Sequence, residues 1–268
     1  MQKIGFIGIG NMGGALAQAV SRTVPGKYIL VCSRNMAHAE AFAEENYFTL
    51  SGKTQIAKEA DVIFLGVKPH QVAGVLEELS PILAERETPY LLVSMAAGVQ
   101  CEQMEALLEG TPHLIRIMPN TPVLVGAGAI PYCLGTHATG ADVEILLSLL
   151  EEGGKLSELP EALMDGASSV SGCGPAFVYL FIEAMSDAAV ACGLPRALAT
   201  ELAAQTVIGA GEMVLQTAQH PGALKDAVCS PGGSTIAGVC ALEEHGLRKA
   251  VQKTVLAAFE KNQKLGKN

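Results

Sequence analysis

The sequence predicts an α/β chain in two parts: a doubly wound, mostly parallel sheet, then an all-helical domain. Three observations carry that prediction. An apolar run close to the N-terminus leads straight into G-x-G-x-x-G at Gly8, Gly10 and Gly13. Further short apolar runs then alternate with segments of helical length. After about residue 161 the strand signals stop, and Ala- and Leu-rich helical segments follow one another. The parts are therefore expected at residues 1–160 and 161–268.

Each element has its own signal. Strands are expected at 3–7, 28–32, 47–50, 61–67, 90–94, 114–118 and 129–133, with a fainter run at 155–159. Continuous apolar strands separated by helices, such as 36–46 and 71–79, mean a parallel sheet covered on both faces. The edge over residues 127–160 is left open between mixed and antiparallel pairing. Later helices are expected at 175–192, 195–220, 221–228, 234–245 and 247–264. Several open with proline, whose fixed φ suits a first helical turn. Gly193 stands where a C-terminal cap belongs. Residues 176–185 are apolar nearly all round, so that helix belongs in a core or an interface. A helical part this small cannot hide it together with the Ala-rich helix after Arg196, so a homodimer with intertwined helices is expected.

Composition removes several function classes. The net charge is −9, whereas nucleic-acid binding needs clustered Lys and Arg. No run of 18 apolar residues stands out as a membrane span, and prolines and glycines break the uncharged stretch 117–141. Seven scattered cysteines form no C-x-x-C, and six histidines form no H-E-x-x-H, so no metal site is expected. G-x-S-x-G and G-x-x-x-x-G-K-[ST] are both missing. A strand directly at the N-terminus leaves no room for a signal peptide, and a soluble, cytoplasmic protein is expected.

The glycine motif follows a strand and opens a helix, which is the context of a dinucleotide fingerprint. Gly8, Gly10, Asn11, Met12 and Gly13 are thus candidate cofactor contacts, with helix N–H groups facing pyrophosphate. The second strand ends in Ser33 and Arg34, where an NAD site usually carries Asp or Glu. A hydroxyl and a guanidinium suit a 2′-phosphate instead, although a solvated surface Arg has the same appearance. Further candidates lie at the carboxyl ends of later strands: Val67, Lys68 and Pro69; Ala96, Ala97 and Gly98; and Asn120 between two prolines. In the helical part, Ser230, Gly232, Gly233, Ser234 and Thr235 form a Gly-Gly turn opening a helix. Such a turn makes a carboxylate receptor or an ordinary turn with Ser234 as N-cap.

These blocks together resemble the pyrroline-5-carboxylate reductase family over essentially the whole chain. The resemblance rests on Gly5 to Gly13, on Val67-Lys68-Pro69-His70, and on Ser94 to Gly98 with Met118 to Pro122. Lys225-Asp226 and Ser230 to Thr235 are its most specific part, supported by Ser171-Gly172 and Gly174-Pro175. It implies a Rossmann domain, a helical dimerisation domain, and NAD(P)H-dependent reduction of 1-pyrroline-5-carboxylate to L-proline. NADP(H) is the expected preference, with NAD(H) as second cofactor. Dimers or a larger ring of dimers are implied, with Thr235 beside the ring nitrogen as the catalytic residue. Cys173 stands where many relatives have Ser, and Lys53 where some have Asn near the adenosine.

Two other readings are weighed. β-Hydroxyacid dehydrogenases share the opening and the helical second domain, but use a helical Lys to protonate an alkoxide. Between Lys155 and Lys225 there is no Lys here. A nucleotide-sensing module without turnover is the other; it would bind NADPH and reduce no imine.

Overall fold

The computed structural model describes residues 2–265, so 266–268 of the expected second part lie outside the described residues. Eight strands form one sheet: β1 (Ile4–Ile7), β2 (Ile29–Cys32), β3 (Thr49–Leu50), β4 (Val62–Leu65), β5 (Leu91–Ser94), β6 (His113–Ile117), β7 (Gly128–Leu134) and β8 (Gly154–Glu158). Their spatial order is β3-β2-β1-β4-β5-β6-β7-β8. β1 to β6 pair in parallel, as in Ile4 beside Ile29 and Val62. β7 runs antiparallel to β6, and β8 runs parallel to β7, so the open edge is mixed. The order reverses between β1 and β4. In doubly wound sheets that switch point opens a crevice at the carboxyl ends of the strands.

The connecting helices are α1 (Asn11–Val20), α2 (Met36–Asn46), α3 (Lys53–Glu59), α4 (Val72–Ala84), α5 (Cys101–Glu105), α6 (Gly140–Leu150) and α7 (Met164–Ser171). Strand residues alternate between two cores. Phe6, Val31, Phe64 and Val93 pack with Leu16 of α1 and Leu146 of α6. Leu30, Ile63, Leu65 and Leu92 pack on the other face with Ile56 of α3 and Leu76 of α4. Both faces are dry, which is why the strands read as unbroken apolar runs.

Then follow α8 (Gly174–Ala191), α9 (Arg196–Thr217), α10 (Pro221–Ala227), α11 (Ser234–Glu244) and α12 (Leu247–Leu265). The chain divides into compact units after Cys173, and the end of α12 from Ala258 belongs to the sheet unit. The reason is packing. Met164 of α7 is buried in the sheet's second core. Asn262 donates to the Asp165 carbonyl at 3.4 Å and to Ser169 Oγ at 3.1 Å. The helix α7 itself is absent from the sequence reading, because its Ser- and Gly-rich residues lack an apolar period.

The helical unit buries little. Within it, among the described residues, only Ala199, Ala203 and Ser186 are fully covered. Leu180, Leu202, Ile208 and Leu215 are among the large apolar residues left exposed. By length and composition alone the stretch Glu161–Ala191 is apolar enough to cross a membrane, with a mean hydropathy of 1.3. The stretch is not an unbroken apolar run, since Glu161, Asp165, Glu183 and Asp187 lie within it.

Candidate functional site

The sheet unit carries a cleft of about 440 Å³ at the carboxyl ends of β1, β2 and β4. That volume suits a small-molecule or cofactor site. Its floor is the glycine loop. Gly8 has φ +98°, and a Cβ there would stand 2.7 Å from the Gly66 carbonyl. A Cβ on Gly13 would stand 2.1 Å from the Gly8 oxygen. These two contacts bring α1 hard against the ends of β1 and β4. At Gly10, by contrast, a Cβ meets nothing within 4 Å, leaving a cradle open toward the cleft. Gly10 caps α1 without a side chain, so the N–H groups of Asn11, Met12 and Gly13 have no intrahelical acceptor. A pyrophosphate fits such a helix opening. Met12 packs its side chain against the core and Asn11 is exposed; of the glycine motif, Gly8 and Gly10 line the cleft, while Asn11, Met12 and Gly13 lie just beyond its lining.

One loop-holding residue escaped sequence reasoning. His38 of α2 donates from Nε2 to the Ile9 carbonyl at 3.1 Å, tying α2 to the glycine loop. A lone His on an exposed helix face carries no signal that it will meet a loop 29 residues away.

Ser33 and Arg34 line the cleft beyond β2, and no Asp or Glu is among its lining residues. Ser33 Oγ accepts from the Asn35 N–H at 3.3 Å, while Arg34 is exposed. Val67 and Lys68 line the cleft after β4. Pro69 follows in a short 3₁₀ turn, and the Lys68 N–H donates to Gln71 Oε1 at 3.2 Å.

The candidates after β5 and β6 are placed elsewhere. Ala97 and Gly98 line a separate small cavity of about 20 Å³ with Arg116, Met118, Ser168 and Asn262. Ala96 is only 1% exposed and packed in the core, so its side chain offers no contact. Asn120 is buried, and its amide is committed to the backbone. Nδ2 donates to the Ser171 carbonyl at 2.9 Å and Oδ1 accepts from the Ala129 N–H at 2.8 Å. Asn120 thus ties the β6–β7 connection to α7, and it is not among the residues that line the cleft.

Behind Arg116 sits a buried cluster that the sequence did not suggest. Arg116 Nη1 donates to Glu161 Oε1 at 2.8 Å, and the Cys101 N–H donates to the same oxygen at 2.9 Å. The Cys101 and Cys133 sulfurs lie 4.0 Å apart. The two sulfurs and a Glu161 oxygen lie within 4.8 Å of one another, close enough to share a metal ion. The guanidinium already neutralises that carboxylate, which works against a cation. The hydrogen bond to Cys133, then burial, holds the Cys101 thiol far above its ordinary range.

In the helical unit the Gly-Gly turn opens α11. The Gly233 N–H donates to the Ser230 carbonyl at 3.0 Å, and Gly232 has φ +68°. The N-cap is Gly233, without a side-chain bond, and Ser234 is the first helical residue rather than the cap. The helix therefore begins with free N–H groups, and Ser230, Ser234 and Thr235 stand exposed around them. Free N–H groups at a helix start suit an anion, and hydroxyls stand beside them here.

Comparison with known proteins places this geometry. A family model described as pyrroline-5-carboxylate reductase dimerisation matches residues 161–265. One described as NADP oxidoreductase coenzyme F420-dependent matches residues 3–98. The chain is 41% identical to a pyrroline-5-carboxylate reductase of Escherichia coli (strain K12), over 100% of this chain and 99% of that one. It superposes on a pyrroline-5-carboxylate reductase structure from Coxiella burnetii with a TM-score of 0.89 at 33% identity, covering 100% and 99% of the two chains. A Plasmodium falciparum pyrroline carboxylate reductase with NADP bound matches with a TM-score of 0.85 at 33% identity, covering 99% and 98%.

Proposed function

The chain belongs to the pyrroline-5-carboxylate reductase family, and on that premise we propose how its own residues carry the reaction. It is an NADP(H)-dependent oxidoreductase that reduces 1-pyrroline-5-carboxylate to L-proline, completing proline biosynthesis. The observation that carries the reading is the uncapped, Gly-Gly start of α11 in a chain with a glycine-loop dinucleotide cleft.

The bound dinucleotide supplies the hydride. In our reading Gly8, Gly10 and the N–H groups of Asn11, Met12 and Gly13 hold its pyrophosphate. Ser33 and Arg34 take the 2′-phosphate, so NADPH is preferred and NADH is the weaker alternative. Val67, Lys68 and Pro69 meet the cofactor through backbone and short side chains, whereas Ala96, Ala97 and Gly98, which lie outside the cleft lining, act on it only by shaping the neighbouring strand end. Asn120 acts on it only by positioning.

The substrate carboxylate, which the sequence assigns to Gly232, Gly233 and Ser234, is held by the N–H groups of Gly232 and Ser234 with the Ser230 hydroxyl beside them, because the Gly233 N–H is spent on the Ser230 carbonyl and holds the turn. The Thr235 hydroxyl accepts from the iminium N–H. A protonated imine is already an electrophile. Hydride addition at its carbon turns the C=N bond into a single bond, and the nitrogen keeps its proton. Orientation is therefore the main demand on the protein, an effect whose upper range is about 7–11 kcal/mol. This chemistry explains why a site without a helical Lys suffices, whereas a 3-keto acid would need its alkoxide protonated.

The helical unit is an oligomerisation domain, and a homodimer, able to assemble into a ring of dimers, is our finer reading. Its support is the large apolar surface of α8 and α9, which a second copy covers. The same surface accounts for the hydropathy of 161–191 without a membrane, and cytoplasmic residence follows from that reading.

Thr235→Ala tests the substrate site. It should lower kcat for NADPH oxidation with 1-pyrroline-5-carboxylate while NADPH affinity stays intact. Wild-type kinetics in that variant would remove Thr235 from the site. Equal turnover of 3-keto acids by the wild type would overturn the imine chemistry.

A further inference from the structure

The cofactor cleft holds more positive charge than the glycine motif and the β2 end account for. Arg34, Lys53 and Lys68 all line it, and no carboxylate does. Lys53 is set by the parallel register of the edge strand. Val31 of β2 pairs with Leu50 of β3, and the Ser51 N–H donates to the Val31 carbonyl at 3.0 Å. Arg34 and Lys53 each come three residues after that pair, where the two strands have ended side by side. Lys68 follows β4, on the other side of β1. Arg34 and Lys53 are thus the two cations at the β2 end, with the hydroxyls of Ser33 and Ser51 in the same lining.

We propose that Lys53 is a second determinant of cofactor choice, sharing the 2′-phosphate of NADPH with Arg34. The inference rests on the reading of Ser33 and Arg34 as the 2′-phosphate site. Without ligand, Lys53 pairs with Glu78 of α4, and both side chains are well exposed. An exposed pair of this kind contributes little stability, so Lys53 moves to a doubly charged phosphate readily. Burial pushes the Cys32 thiol at the cleft wall up to about 11, against the pull of the Gly8 N–H and of the Lys53 charge. The Lys53 charge is therefore felt inside the cleft even while it is paired with Glu78. A clamp of two cations from adjacent strand ends discriminates more sharply between NADPH and NADH than one arginine does.

Calorimetric binding of two fragments tests this on the full-length protein: adenosine 2′,5′-bisphosphate and adenosine 5′-phosphate, which differ only in the 2′-phosphate. Lys53→Gln should weaken the bisphosphate about tenfold, the scale of a charged contact at a partly exposed site. It should leave the monophosphate unchanged, and Lys53→Arg should restore most of the loss. Lys53 opens a surface helix, so neither variant threatens the fold. An unchanged bisphosphate affinity in Lys53→Gln, beside a loss in Arg34→Ala, overturns the role of Lys53 and leaves the Arg34 site standing. No loss in either variant overturns the 2′-phosphate site and the proposal with it. Equal weakening of both fragments reduces Lys53 to a general field and also overturns it.

Discussion

The two units of this chain solve the same problem in opposite ways. The sheet unit buries its apolar residues within itself. Phe6 and Phe64 stack with ring centroids 4.6 Å apart, both wholly inaccessible, between helices on each face. The helical unit instead leaves Leu180 at 66% exposure and Leu215 at 79%, with alanines as its only fully covered apolar residues. A lone chain that exposes this much apolar surface loses the main driving force for folding. One unit is finished by its own chain, and the other keeps an apolar face that suits an oligomerisation domain.

The largest effect should come from breaking the second solution. Leu180→Glu with Phe181→Glu should abolish assembly, giving the 27.8 kDa chain mass in light scattering. Wild type should show twice that mass or a larger even multiple. A wild-type protein that is folded and active at the chain mass would end the comparison. Next comes the first solution. Phe64→Ala should destabilise the sheet unit by about 3–5 kcal/mol in denaturant unfolding. A loss below about 1 kcal/mol would mean that the core is less closely packed than the stacked rings imply.

Smaller effects sharpen the contrast at the surface of the sheet unit. Arg34→Ala should weaken NADPH by about 1.5–3 kcal/mol and leave NADH nearly unchanged, read from KM or direct binding. Equal weakening of both would show that Arg34 does not read the 2′-phosphate. The smallest effect concerns pH. Burial pushes the Asp142 carboxyl up, but the Thr139 hydroxyl and N–H and His113 outweigh it and hold the carboxyl below its ordinary value. Such a group stabilises the fold fully above the unfolded carboxylate pKa of about 4. That stability is lost as pH falls through the lower folded value. Asp142→Asn should flatten the acid limb of a stability-against-pH curve, and an unchanged slope would remove Asp142 as its source.

Much of the fold was legible because its signals are local. The eight strands fall on eight apolar runs, and α2 spans the residues that its composition marked. The glycine spacing marked the cleft floor, and Ser33 and Arg34 marked its lining at the β2 end. α7 was missed because its helical state comes from packing, with Met164 buried under the sheet and Ser169 covered. Asn120 makes a related point. A rigid Pro-Asn-Thr-Pro segment looks the same whether its amide meets a ligand or, as here, the Ser171 and Ala129 backbone. The Arg116–Glu161 pair and the His38 contact span 45 and 29 residues, and no pattern in one stretch of chain reports them.

By itself the sequence determined the fold class, the dinucleotide loop, the family and the candidate substrate turn. Periodicity, glycine spacing and capping chemistry act within a few residues, so they can be read in one dimension. Tertiary structure alone decided that the β2 and β3 ends bring Arg34 and Lys53 into one lining, that the Asn120 amide meets the backbone, and that the sheet unit extends through α7. Those outcomes depend on strand register and on which buried polar groups still needed partners. Both are settled only when distant segments pack, because a hydrogen bond or a dry contact has no existence until its two halves meet.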